Sequence, residues 1–141
     1  MAANTAPIFS AQGSLQWTAP GLTAANTAMD GTGTVTAVAT GNAAGNAAGN
    51  FIQKVIARPL GTNAASVLRL FLNNGSTNAT AANNALLAEV SLPATTLSQA
   101  AAMTGIEVPL NLALPPGYKI NAAIGTTVAA GWMLTAVGGQ Y

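Results

Sequence analysis

The chain has 141 residues, half of them apolar, and its net charge of +1 comes from four basic and three acidic side chains. A soluble domain of that length carries about thirty-five charged residues, so this surface must be built from Asn, Thr, Ser, Gln and Ala. With no histidine and no cysteine, thiolate and imidazole metal sites and histidine-activated nucleophiles are excluded, and a charge near zero offers no basic footprint for nucleic acid.

Met1-Ala2-Ala3-Asn4-Thr5-Ala6-Pro7 lacks both a basic region and an apolar run, so it reads as an extended arm and not as a signal peptide. The first strand is expected at Ile8–Trp17. Pro20-Gly21 and Asp30-Gly31 then punctuate a passage leading to a second at Thr32–Thr40. The Gly-Asn-Ala-Ala repeat within 41–50 offers nothing bulky to bury and reads as a surface loop, or as one ordered against a neighbouring subunit. Phe51–Leu60 is the third strand, with Lys54 and Arg58 on one face. Ser66–Asn73 is the fourth, with Leu68, Leu70 and Leu72 opposite Val67, Arg69 and Phe71. That alternation puts Arg69 and Phe71 on the outer or subunit-facing side.

After Asn73-Asn74-Gly75 comes an alanine-rich passage. Ala79–Glu89 can be read as a short helix, and Ser98–Met103 as a single helical turn capped by Ser98. Leu86–Leu92 and Gly105–Leu114 are the fifth and sixth strands. Pro93 and Pro109 cannot donate to a ladder and mark ends, edges or bulges. Pro115-Pro116-Gly117 turns into Tyr118–Gly125, where Tyr118, Ile120, Ala122 and Ile124 share a face. Gly131–Val137 closes the series, with Trp132, Leu134 and Ala136 on one side and Gly138-Gly139 as the final turn signal. Eight evenly spaced runs specify an all-β, single-domain sandwich over 1–141, jelly-roll-like, of about eight strands.

Chemistry-bearing residues are few. Asp30 precedes glycine and reads as a turn residue, far in sequence from Glu89 and Glu107. Lys54 and Arg58 suit a solvated or interfacial pair, or contact with a phosphate or a partner's carboxylate. Trp17, Phe71, Tyr118 and Trp132 suit core or interface packing more than stacking on a sugar. Gly31-x-Gly33 lacks the third glycine of a dinucleotide loop. Asn74-Gly75-Ser76 and Asn78-Ala79-Thr80 are glycosylation triplets that chance explains in so Asn- and Thr-rich a chain. Ile120–Val137 is free of charge, but its Asn, Thr and Gly argue against a spanning helix. No catalytic residue, metal site or cofactor is expected, and no membrane or nucleic-acid partner. A surface short of charge repulsion favours association, so a homo-oligomer is.

Several phrases resemble a family of small structural proteins encoded by tailed bacteriophages. They are Thr5-Ala6-Pro7-Ile8-Phe9, Asp30-Gly31-Thr32-Gly33-Thr34-Val35, Leu60-Gly61-Thr62-Asn63 and Arg69-Leu70-Phe71-Leu72-Asn73-Asn74-Gly75. Glu89–Thr96, Leu114–Lys119 and the closing Ala130–Tyr141 belong with them. The resemblance implies a virion component assembled in the bacterial host cytoplasm, a capsid decoration (cement) protein bound to the major capsid protein or another virion protein. It also points to a trimer, the form suited to local three-fold axes. The alternative is a tail-tip or fibre module that recognises a host glycan, and a weaker rival is a membrane-lesion protein built on Ile120–Val137.

Overall fold

The structure, a computed structural model, describes residues 10–41 and 48–141. The arm expected at 1–7 and the central part of the 41–50 loop lie outside the described residues. Eight strands follow in chain order: β1 Gln12–Trp17, β2 Thr36–Thr40, β3 Asn50–Pro59, β4 Ser66–Asn73, β5 Asn84–Leu92, β6 Ile106–Leu114, β7 Lys119–Ile124 and β8 Trp132–Gln140. They form two antiparallel sheets, ordered β1-β8-β3-β6 (sheet 1) and β2-β7-β4-β5 (sheet 2). In the pairs β1·β8, β2·β7, β3·β6 and β4·β5 the early strands match the late ones in reverse order. This is the connectivity of a long hairpin wrapped into a jelly roll, as the sequence predicts.

Alternation builds the core. Leu68 and Leu70 of β4, Ile120, Ala122 and Ile124 of β7, Val55 and Ala57 of β3, and Trp132, Leu134 and Ala136 of β8 all point between the sheets and are buried. Each fully buried large aliphatic side chain contributes about 2 kcal/mol of transfer free energy. The alanines contribute less, so the sheets depend on polar fastening as well.

The helical readings are corrected. Ala79–Glu89 yields only a one-turn 3-10 helix at Ala81–Asn83 before β5 begins at Asn84, because Asn73 to Ser66 of β4 offer a ladder to Asn84 to Leu92, with one register shift at Leu70/Phe71. Ser98 does accept hydrogen bonds from the amides of Ala100 and Ala101, but a bend, not a helix, follows it.

The connection from β1 to β2, residues 18–35, is long and tightly held. Leu22 and Trp132 exchange backbone hydrogen bonds, and the Asn26 amide donates to Ile124 O. Beyond that point it crosses the outer face of sheet 2. Arg69 Nη1 donates to Asn26 O at 3.3 Å, and Asn78 Nδ2 donates to Gly31 O and Gly33 O. Phe71, Asn121 and Ala123 face outward from sheet 2, yet all are buried. The outer side expected for Arg69 and Phe71 is therefore roofed by the chain's own loop.

Candidate functional site

The outer face of sheet 1 has no such roof among the described residues. Ladder partners share a face, so the register aligns Leu15 with Val137, Trp17 and Ile56 with Thr135, Lys54 with Val137 and Arg58 with Met133. Leu15 is 62% exposed and Trp17 61%. Phe51, Ile56, Met133 and Val137 on the same side are half-buried. An antiparallel sheet facing water on one side ordinarily turns polar residues outward. Exposed apolar side chains on such a face make it the candidate site.

β1 is the most unusual part of that face, because its amphipathicity is reversed. Its inward positions are Gln12, Ser14 and Gln16, and its outward ones Gly13, Leu15 and Trp17. The inward side chains are satisfied by polar partners at the open end of the sandwich. Gln12 Nε2 donates to Gln140 Oε1 at 2.6 Å, and Asn50 Nδ2 donates to Ser14 Oγ at 3.1 Å. Gln16 Nε2 donates to Thr40 O while its Oε1 accepts from the Thr40 amide, so one side chain bridges β1 to β2.

Charge on the face is largely neutralised. Lys54 Nζ donates to Glu107 Oε2 at 2.8 Å across β3 and β6. Arg58, on the same face of β3, is exposed and forms no ion pair among the described residues. Lys54 and Arg58 thus share a face, as the sequence predicts, but only Arg58 is free to meet a partner's carboxylate.

The remaining candidates are scattered. Asp30 closes a turn: its Oδ1 accepts from the Thr32 amide at 3.0 Å and from Thr32 Oγ1 at 2.7 Å. The Thr32 hydroxyl and then its amide hold this carboxyl below the ordinary aspartate value. Gly31 and Gly33, at φ 76 and 79, supply the left-handed backbone of that turn. Glu89 accepts from Arg69 Nε at 3.2 Å on sheet 2, and Glu107 lies on sheet 1. Among the described residues no three acidic groups converge on one point. Asn74 donates to Asn83, and Asn78 holds the β1–β2 connection, so both glycosylation triplets serve local structure.

Of the four aromatics considered for stacking, Trp132 and Phe71 are fully buried and Tyr118 half-buried, leaving Trp17 exposed. Two depressions, of about 170 and 320 Å³, lie beside Leu22 and beside Met103, and no charged side chain lines either. Ile120–Val137 forms β7, a turn and most of β8, and no helix among the described residues is long and apolar enough to cross a membrane. The reversed pattern of β1 was present in the letters Gln12 to Trp17. It was masked because a strand with apolar residues at alternate positions looks the same whichever side faces the core. No family model, curated protein or solved structure matches this chain.

Proposed function

We propose that this chain is a non-enzymatic structural subunit of a tailed-bacteriophage virion, one that associates with itself and covers or cements the capsid through contacts with the major capsid protein. The observation that carries the reading is the asymmetry between the two outer faces. On one, the chain's own 18–35 connection covers Phe71, Asn121 and Ala123 and leaves Leu86 of β5 44% exposed, while the other presents Leu15 and Trp17, both more exposed, beside half-buried neighbours and an internally matched Lys54–Glu107 pair. Burying that face between proteins removes apolar area from water at about 25 cal/mol per Å². Lys54 and Glu107 already match each other, and Arg58 on that face needs a partner's carboxylate, since burying an unpaired charge costs several kcal/mol. The resemblance of the turn and strand-edge phrases to small phage structural proteins supplies the setting.

Immunogold labelling of this chain on phage particles that contain it tests the assignment. Many copies distributed over the head are expected. Label confined to the tail tip would favour the glycan-binding alternative, and unlabelled particles would remove the virion reading.

A further inference from the structure

Four strands lie at sheet edges, and three are guarded. β6 carries Pro109, which has no N–H, and Asn111 at φ 48. β5 carries Glu89 and faces a register shift at Leu70/Phe71. β2 is broken by a shift between Ala37 and Ala39, and the Thr40 backbone is occupied by Gln16. β1 has no proline, no charge and an unbroken register with β8. An edge without such devices is a template for another strand.

We propose that two copies of this chain pair β1 with β1, antiparallel, about a two-fold axis at Leu15, merging their first sheets into one of eight strands. The inference rests on the self-association proposed above and names the surface that performs it.

The direction of the backbone groups supports this seam. Thr18 N–H donates to Leu134 O, in register with the β1·β8 ladder. Alternation then turns the amides of Gln16, Ser14 and Gln12 toward β8, and those of Trp17, Leu15 and Gly13 toward the free edge. A second strand must use these three residues. Centred on Leu15, the pairing sets Leu15 against Leu15 and Trp17 against Gly13 of the partner subunit. A Cβ built on Gly13 would meet no atom of the described residues within 4 Å, so among them nothing blocks a large ring above it. An aromatic lying across an edge glycine is a known means of fixing strand register. Slipping the pairing two residues toward the carboxyl end would set Trp17 against Leu15 and leave Gly13 beyond the ladder. The sequence Gly13-x-Leu15-x-Trp17 is thus complementary to itself, which selects a second copy as occupant. Charge agrees with this choice: β1 carries none, and the Lys54–Glu107 pair on the same face is already neutral. No like charges meet at the axis.

Cysteine cross-linking of the full chain tests the seam, since the chain has no native cysteine. Directly opposed residues in a hydrogen-bonded antiparallel pair have Cα atoms about 5.5 Å apart, inside the range of about 4.4–6.8 Å that a disulfide spans. Air oxidation of Leu15→Cys should give a covalent dimer. Trp17→Cys should give little, because its symmetry mate lies about four residues, roughly 13 Å, further along the seam.

Leu15→Lys should convert the dimer to monomer in light scattering while circular dichroism stays unchanged, and Leu97→Lys, in the β5–β6 loop, should leave it dimeric. Equal cross-linking at positions 15 and 17, a trimer, or an oligomer that survives Leu15→Lys overturns the seam and leaves self-association standing. A chain monomeric at high micromolar concentration removes both. A chain that dimerises only after residues 1–9 are deleted assigns the edge to that segment instead.

Discussion

Asparagine side chains fasten this molecule where other proteins use charge. Asn63 is buried, and its Nδ2 donates to Gly61 O at 3.3 Å and Gly131 O at 3.0 Å. Its Oδ1 accepts from the amides of Ala130 and Gly131 at 2.9 and 2.8 Å. One uncharged amide therefore satisfies both donors and acceptors of the turn before β8, which neither a carboxylate nor an ammonium can do. Asn26 plays the same part in the β1–β2 connection, donating to Thr32 O and Thr34 O and accepting from the Ala28 amide. Replacing Asn63 by alanine leaves two amides without partners in a buried place, at about 1–3 kcal/mol each. A loss of about 3 kcal/mol in urea denaturation is expected for Asn63→Ala. Exposed Asn74→Ala should stay within about 0.5 kcal/mol of the parent. Equal effects at the two positions would show that the amide of Asn63 is not what holds the turn.

Between elements, Gln16 has a role out of proportion to its size. Its amide meets the Thr40 N–H at 2.8 Å and the Thr40 carbonyl at 3.2 Å, as the backbone of a neighbouring strand would. It thereby joins the edge of sheet 1 to the edge of sheet 2. Gln16→Ala should cost about 1–2 kcal/mol and speed hydrogen exchange at the Thr40 amide while exchange at Leu68 and Leu134 stays slow. Unchanged protection at Thr40 would assign its amide another partner.

The strands themselves were legible in the sequence because alternation and turn chemistry agree. Ser66–Asn73 has the bounds read from its letters. Elsewhere tertiary contacts moved the ends. β2 starts at Thr36 instead of Thr32, because Asn26 and Asn78 bind the carbonyls of Gly31 to Thr34. β8 runs through Gly138 and Gly139, which read as a turn. A side chain at Gly138 would strike the Phe51 carbonyl, so the glycine serves close strand approach and not reversal. The roof over Phe71 could not be read, since it depends on where an irregular loop lies. The bare face of sheet 1 follows from that same placement, and so does the candidate site.

For the whole molecule, the scarcity of ionisable groups sets how stability responds to solvent. The chain has no histidine and no cysteine, so no side chain has an ordinary pKa between about 5 and 8. The two ion pairs among the described residues, Lys54–Glu107 and Arg69–Glu89, have carboxylates 56% and 44% exposed. Each is worth at most about 1 kcal/mol and is screened by salt.

Asp30 is held low, first by the Thr32 hydroxyl and then by the Thr32 amide. A carboxyl depressed in the folded state contributes stability above its unfolded pKa and loses it as pH falls through the folded value. Its window therefore lies below about pH 4. The denaturation midpoint should be level from about pH 5 to about pH 8 and shift by less than about 1 kcal/mol between low and moderate salt. It should fall only in acid. Asp30→Asn keeps an oxygen that can accept from Thr32 but cannot titrate, so it should flatten part of that acid slope and leave neutral stability nearly unchanged. Urea titrations of both proteins from pH 2 to 8 measure this directly. A midpoint that moves near neutrality, or an acid slope identical in the variant, would show that charge contributes to this fold in a way its seven ionised side chains do not account for.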